Sequence, residues 1–403
     1  MGDMVGTELE LEVTNVAHGG ICVARHDGRV IFVSDTIPGE RVLARVSEDS
    51  KKSFWRAETV RVISPSEFRQ PHVWSAASIE RAPEDRAGGA EFGHIRIDHQ
   101  RELKRRVLAD SLRRMAGVDS DVSVEALPGN EDGTGWRTRV RLQVDASGRP
   151  GPFAARSHRV VEVSDLPLAT EAVQGAAPLR ERFPGEEHVE VLGPSAGGAR
   201  LVIGRQKPTV IRERVGEREF RLDDTGFWQV HRHAATTLTR AVQDAIDDAL
   251  FDPRTQNLDL YGGVGLLAAA VGDRFGSTTR ITSVESDSRA TEHAGENLAD
   301  WLGARAVTAR VERWVAALAG SGEKLRSATV VLDPPRSGAG GPVVAALTRL
   351  EPAQLVYVAC DPVALARDIG LFREGGYELE ELRAFDLFPN THHVEAVARL
   401  VRR

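Results

Sequence analysis

Residues 258–268 constrain the fold more than any other segment, because the sequence LDLYGGVGLLA joins an apolar strand to a helix through a glycine turn. Gly263 and Gly265 let the backbone approach a ligand closely, since neither carries a side chain. Glu285 ends the next apolar run, where a carboxylate can accept hydrogen bonds from both hydroxyls of a ribose. Ala268 completes a G-x-G-x-x-A pattern, so the turn alone also fits a dinucleotide such as NAD.

Strands and helices alternate on both sides of this turn, from about residue 226 to 403. Two runs near the end, 378–388 and 394–401, are too close together for a helical crossover and predict an antiparallel hairpin at the sheet end. The fold class is therefore α/β, a doubly wound, Rossmann-like sheet with a terminal hairpin. Its parallel strands are predicted from near-continuous apolar runs at 257–261, 281–285, 307–311, 329–333 and 355–360.

The first 225 residues have a different pattern, with short strands and frequent glycine turns. Residues 1–66 contain five strand-like runs separated by turns such as HGG at 18–20, which predicts an OB-like β-barrel. A barrel of this kind can bind single-stranded nucleic acid or act as an inert module, and the pattern permits both. Residues 67–225 predict a mixed, largely β central domain that includes a strand at 160–163. Its one long helix is capped by Asp98 and ends near Met115.

Asp259 and Tyr261, immediately before the glycines, favour one of the two ligands that the turn fits. An acid at this strand end suits a ligand with an ammonium group and is unfavourable beside a pyrophosphate. S-adenosylmethionine carries an amino acid and a sulfonium cation, whereas NAD carries two phosphates. The residues therefore favour S-adenosylmethionine and leave an NAD-dependent oxidoreductase as the alternative.

Asp333 lies at the carboxyl end of the fourth predicted strand, within an Asp-Pro-Pro-Arg motif at 333–336. This end of the strand faces the crevice in which open α/β sheets bind ligands, and the two prolines stiffen the loop. Methyltransferases that act on amino groups usually place an aromatic side chain after the prolines. Arg336 stands there instead, which argues against methylation of an exocyclic amine.

The chain has two cysteines, too few for a disulfide framework, a cysteine-based zinc site or a four-cysteine cluster. Cys22 lies inside a predicted barrel strand and is interpreted as a small buried hydrophobe. Cys360 ends the fifth predicted strand beside the crevice, which makes it a candidate nucleophile. Glu395 begins the last strand near the same edge. Alternation alone places its side chain in solvent, but the nearby cysteine makes it a candidate base.

The net charge of −7 conceals two arginine-rich stretches. Residues 101–114 contain six basic and two acidic side chains, and 136–160 contain six arginines and one histidine against one aspartate. These stretches are either solvated faces or surfaces for a polyanion. The sequence lacks a basic-then-apolar leader and any apolar run of about 18 residues, so we expect a cytoplasmic protein without a membrane contact.

Taken together, these motifs resemble the S-adenosylmethionine-dependent RNA uridine-5-methyltransferases, and the N-terminal barrel resembles the RNA-binding TRAM domain of that family. The resemblance covers nearly the whole chain and its motifs keep the family's order. It implies that Gln229, Tyr261, Glu285 and Asp333 bind the methyl donor, that Cys360 is the nucleophile and that Glu395 is the base. The implied partner is tRNA or rRNA, and no obligate protein partner is indicated. The motifs lie at 227–229, 259–265, Glu285, 333–336, 360–362, 365–368 and 393–395.

The sequence also departs from the family. Many relatives hold an iron–sulfur cluster with four cysteines, whereas the corresponding run here contains Arg81 and the stretch AGGA at 87–90, so we expect no cluster and no other metal. Asp361 replaces the usual asparagine after the nucleophile and is expected to disfavour the thiolate. Gly262 replaces a common cysteine, and His231 a common asparagine. A catalytically silent RNA-binding protein on the same scaffold is the alternative from a different class.

Overall fold

A computed structural model describes residues 4–403, and its N-terminal part is a closed five-stranded β-barrel. In the first strand, every second side chain between Glu8 and Val13 is buried, which is the pattern of a strand with one face toward a core. Gly28 has a positive φ of 78° in the turn between the second and third strands. The OB-like barrel prediction is confirmed. The strands follow the order β1-β2-β3-β5-β4, with β1 Glu8–Val16, β2 Cys22–His26, β3 Arg29–Ser34, β4 Arg41–Glu48 and β5 Phe54–Ser64.

The central region is mixed, as predicted, but two details of the prediction were wrong. Helix α1 begins at Ile97 with Arg96 at its N-cap, so Asp98 lies within the first turn and does not cap the helix. Residues 160–163 form no strand, because Val160 makes only an isolated bridge to Phe153. The elements here are α1 Ile97–Ser111, β6 Val124–Glu125, β7 Arg139–Val144, β8 Pro150–Gly151, α2 Glu171–Ala176, β9 His188–Leu192, β10 Arg200–Ile203, β11 Val210–Val215 and β12 Arg218–Asp223.

The C-terminal part contains an eight-stranded sheet in the order β15-β14-β13-β16-β17-β19-β18-β6. Strands β13 to β17 are parallel, and β19 runs antiparallel between β17 and β18. The elements are α3 Ala234–Ala245, β13 Asn257–Leu260, α4 Leu266–Phe275, β14 Ile281–Glu285, α5 Ser288–Asn297, β15 Ala304–Thr308, α6 Val311–Gly320, β16 Thr329–Leu332, α7 Gly340–Leu350, β17 Gln354–Ala359, α8 Pro362–Glu374, β18 Tyr377–Phe385 and β19 Glu395–Arg402.

Two predictions about this sheet need correction. The terminal hairpin is not the sheet edge, because β6 pairs in parallel with β18, with Val124 opposite Ala384. Strand β15 begins at Ala304, three residues before the predicted start, because its ladder with β14 already pairs Ala304 with Ile281.

Helices cover both faces of the sheet, as a doubly wound fold requires. The strands β13, β16 and β17 are buried at every position. One apolar cluster packs side chains of α6, α7 and α8 on the sheet, and a second packs those of α3 and α4 on the other face. Because the sheet is covered on both sides, ligands can reach it only at the strand ends. In the part of the chain that the structure describes, no helix is long and apolar enough to cross a bilayer.

A buried ion pair joins α1 to the loop that follows β18. Lys104 Nζ lies 2.5 Å from Asp386 Oδ1, and the two side chains are 0% and 2% exposed. Lys104 also donates to the Phe388 carbonyl at 3.0 Å. Lys104, which belongs to the first arginine-rich stretch, therefore connects the central and C-terminal parts of the protein.

We expect Lys104→Met to lower the free energy of unfolding by about 3–5 kcal/mol, because it leaves the Asp386 carboxylate buried without its cation. The measurement is urea denaturation followed by circular dichroism. The double variant Lys104→Met/Asp386→Leu removes both charges and is expected to recover most of the loss. A loss of equal size in both variants would contradict this explanation.

Candidate active site

A cavity of about 1210 Å³ opens at the carboxyl ends of the parallel strands. The register places Leu260 opposite Leu332, so Tyr261 and Asp333 leave adjacent strands at the same level. Both side chains line the cavity, as the strand-end argument predicts. Seven of the nine predicted site residues line it, namely Gln229, Tyr261, Gly263, Glu285, Asp333, Cys360 and Glu395.

Glu285 is held at the cavity wall by the glycine turn. Its Oε2 accepts a hydrogen bond from the Gly263 N–H (3.1 Å), and its Oε1 accepts one from the Asp287 N–H (2.8 Å). Gly263 has φ +54°, and a Cβ there would meet nothing within 4 Å, so the space above the turn is open. The turn thus fixes a carboxylate beside open space in which a ribose can lie.

Asp259 and Gly265 do not line the cavity. The side chain of Asp259 is 0% exposed beneath the turn, and its Oδ2 accepts from Ser283 Oγ at 2.8 Å. Burial raises the pKa of this carboxyl to about 6. Gly265 stands at the N-cap of α4 with φ +90°, and a Cβ there would lie 3.2 Å from Leu298. Asp259 and Gly265 therefore pack beneath the turn. The prediction that they lie at the ligand is not met, because neither lines the cavity.

Tyr261 and Asp333 present polar groups to the cavity that are poorly satisfied inside the protein. The Tyr261 hydroxyl is buried and has no hydrogen-bond partner within residues 4–403. Burial, followed by the nearby Asp259, raises the pKa of Asp333 to about 7. A buried hydroxyl without a partner is energetically unfavourable, and a polar ligand that hydrogen-bonds to it removes this cost. Both groups therefore suit a ligand that carries hydrogen-bonding and positively charged atoms.

Cys360 and Glu395 face each other across two neighbouring strands. The last registered pair of β17 and β19 is Ala359 with Ala396, and continuing that register brings Cys360 opposite Glu395. Directly opposed residues of an antiparallel pair project to the same face, with Cα atoms about 4.5–5.5 Å apart. Both side chains line the cavity. The structure thus brings together the two residues that the sequence suggested as nucleophile and base.

Glu395 is 3% exposed, so the expectation from alternation that it faces solvent is wrong. Strand β19 lies inside the sheet between β17 and β18, and helices cover both faces, so no position near its start has a solvent side. Burial and then Asp333 raise the pKa of Glu395 well above its usual range.

The thiol of Cys360 is protonated at neutral pH in the free protein. Burial raises its pKa to about 12, and the carboxylates of Glu395, Asp333 and Asp361 contribute in the same direction. The guanidinium of Arg336 opposes them. Reaction at this sulfur therefore requires that ligands add positive charge or that neighbouring acids become neutral.

Further residues line the cavity without having been assigned a role from the sequence, and they include Glu91, Arg137, Phe227 and His393. Phe227 is 74% exposed, and it stands two residues before Gln229 in one motif, which was a usable signal. Arg137 comes from the second arginine-rich stretch. Burial lowers the pKa of the His393 ring to about 3, so this ring is neutral.

The two arginine-rich stretches differ in what they contact. Both stretches are partly paired. In the first, Glu102 pairs with Arg105 and Arg106, and Asp110 pairs with Arg113 and Arg114. In the second, Arg141, Arg149 and Arg159 pair with Glu190, Glu162 and Asp85. The second stretch supplies Arg137 to the main cavity and Arg156 to an adjoining cavity of about 520 Å³. Gly89 and Glu91 line both cavities, so the two adjoin. The second stretch is the better placed for contact with a polyanion.

Arg86 occupies the region where many relatives carry cluster cysteines. Its guanidinium binds Asp35 Oδ2 at 2.9 Å and the Thr59 carbonyl at 2.8 Å, both in the barrel. Across residues 4–403, no three or more His, Cys, Asp or Glu side chains are grouped so that they could hold a metal ion.

Comparisons with known proteins agree with this geometry. A family model described as "TRAM domain" matches residues 2–58, and one described as "tRNA (Uracil-5-)-methyltransferase" matches residues 309–403. An RNA methyltransferase of Streptomyces coelicolor is 39% identical over 98% of this chain and 93% of its own length. One of Bifidobacterium longum is 32% identical over 98% of this chain and 97% of its own length.

The structure of the Pyrococcus abyssi tRNA (uracil-54, C5)-methyltransferase in complex with S-adenosyl-L-homocysteine superimposes with a TM-score of 0.72. The two sequences are 21% identical, and the match covers 98% of this chain and 100% of that one. The two proteins share one fold from the barrel to the terminal hairpin.

Together with these comparisons, the doubly wound sheet and its glycine turn place the protein in the class of S-adenosylmethionine-dependent methyltransferases. Within that class, this chain belongs to the RNA (uracil-5-)methyltransferase family. S-adenosylmethionine is the methyl donor, and RNA is the class of substrate. This membership decides between the two ligands that the glycine turn fits, and it removes the NAD-dependent alternative.

We expect Glu285→Gln to weaken binding of the donor about 10- to 100-fold, which is the loss of a charge-assisted hydrogen bond of about 1.5–3 kcal/mol. The measurement is calorimetric titration with S-adenosylhomocysteine. Glu292→Gln is the matched control, because Glu292 lies on α5 with a 60% exposed side chain that pairs with Arg289. Equal affinities for Glu285→Gln and the wild-type protein would remove Glu285 from the donor site.

Proposed function

We propose that this protein transfers the methyl group of S-adenosylmethionine to carbon 5 of a uridine in RNA through a covalent adduct with Cys360. We take tRNA as the first candidate substrate, because the family model that matches residues 309–403 is described for tRNA; rRNA is the alternative. The observation that supports the chemistry is the pairing of Cys360 with Glu395 on the wall of one cavity that also holds Tyr261, Glu285 and Asp333.

The residues at the cavity suit the donor. Glu285 can accept hydrogen bonds from its ribose, Asp333 and Tyr261 offer a carboxyl and a hydroxyl, and the space above Gly263 is open. Gln229, which also lines the cavity, can add an amide. When bound, the donor supplies an electrophilic methyl group on a positively charged sulfur.

The uracil ring must be activated, because its carbon 5 is a poor nucleophile. Cys360 loses its thiol proton to solvent and adds its sulfur to carbon 6, so that the ring becomes an enolate. Carbon 5 then takes the methyl group, whose bond to the sulfonium sulfur breaks as the new carbon–carbon bond forms. Glu395 then takes the proton from carbon 5, the bond from sulfur to carbon 6 breaks, and the thiolate of Cys360 leaves. The products are 5-methyluridine, S-adenosylhomocysteine and a proton on Glu395.

The electrostatics of the free cavity fit this order of events. Burial raises the pKa of the Cys360 thiol to about 12, so the free protein presents an unreactive thiol at neutral pH. Positive charge that a bound donor brings beside Cys360 favours its thiolate. We therefore expect Cys360 to react only when the donor is bound.

A base can reach this cavity only outside its stack, because the reacting residues lie at the strand ends inside the protein. Arg137 and Arg156 lie along the adjoining cavities, and an exposed aromatic ring, Phe227, stands at the wall. A single-stranded loop or a flipped nucleotide, with its phosphates near these arginines, satisfies this arrangement.

The test uses tRNA and rRNA that carry [5-³H]uridine, with a donor labelled in its methyl carbon. We expect one tritium released to water for each methyl group incorporated, and 5-methyluridine as the labelled nucleoside. Comparing initial rates on the two RNAs identifies the substrate. Incorporation without release of tritium would place the methyl group elsewhere and overturn the proposal. Absence of incorporation into either RNA would overturn it in favour of a silent RNA-binding protein.

A further inference from the structure

A histidine of the N-terminal barrel reaches the residue that follows Cys360. His18 lies in the loop between β1 and β2, and its Nε2 is 3.3 Å from Asp361 Oδ2. The two side chains are 49% and 21% exposed. The barrel and the catalytic sheet are therefore in contact one residue away from the reacting sulfur.

The two oxygens of Asp361 have different partners. Oδ1 caps helix α8 by accepting hydrogen bonds from the N–H groups of Val363 (3.0 Å) and Ala364 (2.8 Å). An asparagine oxygen can provide the same cap. The negative charge of Asp361 is thus not required by the helix, and it adds to the charges that disfavour the thiolate of Cys360.

The barrel loop is held firmly in this position. The Ala17 N–H donates to the Ile21 carbonyl at 2.7 Å, which closes the loop. Gly20 has φ +74°, and a Cβ there would lie 2.5 Å from the Cβ of His392, so the loop backbone packs directly on the segment before Glu395. The backbone that carries His18 is therefore positioned by the barrel fold beside Asp361.

The other charged groups around this contact are already engaged. Lys104 is paired with Asp386, and His392 faces Glu91 at 3.6 Å. Arg336, Asp333 and Glu395 act on the sulfur from the cavity side. Within residues 4–403, His18 is the one ion-pair partner of Asp361.

We propose that His18 is a positioning residue for Cys360, through which the docked barrel offsets the charge of Asp361 and favours attack by the sulfur. The inference rests on the proposed function and adds a role for the barrel in the chemical step.

The test measures how fast the covalent adduct forms on RNA that contains 5-fluorouridine, with saturating donor and at one fixed pH. Fluorine at carbon 5 cannot leave as a proton, so the adduct accumulates. We expect His18→Ala to slow adduct formation about tenfold, the change in thiolate that one pKa unit represents.

Asp361→Asn decides whether the effect passes through the charge of Asp361. In that background the helix cap remains, and His18→Ala is expected to change the rate less than twofold. His26→Ala is the matched control, because His26 is a barrel histidine that pairs only with the exposed Asp27, and it is expected to match the wild-type protein. RNA affinity and the melting temperature are measured for each variant.

An equal loss from His18→Ala in both backgrounds, or no loss in the wild-type background, would overturn the proposal. The proposal would also be overturned if His18→Ala slowed adduct formation only in proportion to weaker RNA binding, with the same loss in the Asp361→Asn background. That result would show that the contact is purely structural. If the wild-type protein forms no adduct, the proposed function itself fails, which is a different result from adduct formation that is insensitive to His18.

Discussion

Replacing Cys360 by alanine is expected to lower the rate of methyl transfer by at least roughly 10⁴-fold, the scale on which enzymes lose activity when the nucleophile is removed. Without the sulfur, no bond forms at carbon 6, and carbon 5 stays too weak a nucleophile to react. The covalent adduct with 5-fluorouridine RNA is expected to disappear completely. Denaturing gel electrophoresis of protein and labelled RNA measures the adduct.

Cys22→Ala is the control for this experiment. Cys22 is 1% exposed in the barrel, and its Sγ donates to the Thr36 carbonyl at 3.2 Å. Burial raises the pKa of its thiol to about 12, as expected for an inert core cysteine. This variant is expected to keep the adduct and full donor affinity. An adduct that survives Cys360→Ala would exclude Cys360 as the nucleophile.

The positions of Asp333 and Cys360 could be predicted from the sequence because they depend on local order alone. Each follows an apolar run, and parallel strands present their carboxyl ends at one edge. Glu285 and Tyr261 follow the same rule. For residues at strand ends, assigning the strands is enough to predict which side chains lie together at the sheet edge. Errors of a few residues in the strand bounds do not change that prediction.

Glu395 could not be placed correctly, because alternation treats a strand as having one solvent face. Whether β19 has such a face depends on its position between β17 and β18, which is a long-range property. The same holds for β6, since Val124 and Ala384 pair across 260 residues of sequence. Asp259 was predicted at the ligand for a different reason. The sequence shows that an acidic residue precedes the glycines, but it does not show that the turn covers this side chain and buries it.

Glu395→Gln is expected to lower turnover about 10²- to 10⁴-fold, the usual contribution of a positioned base. Glutamine keeps the shape of the side chain but cannot take the proton from carbon 5. Addition of Cys360 and methyl transfer remain possible, so ordinary RNA without fluorine is expected to accumulate the covalent adduct. Mass spectrometry of the trapped peptide should show a methylated uridine on Cys360.

The pH dependence gives a second, independent signature. Burial and Asp333 raise the pKa of Glu395, so its basic form is lost as pH falls through a value above the usual range for a glutamate. In the wild-type protein, resolution of the adduct should therefore quicken with rising pH, and in Glu395→Gln this dependence should vanish. Glu380→Gln, at an exposed position of β18, is the control and is expected to match the wild-type protein. Normal turnover in Glu395→Gln, or slow turnover without an adduct on ordinary RNA, would mean that another group removes the proton.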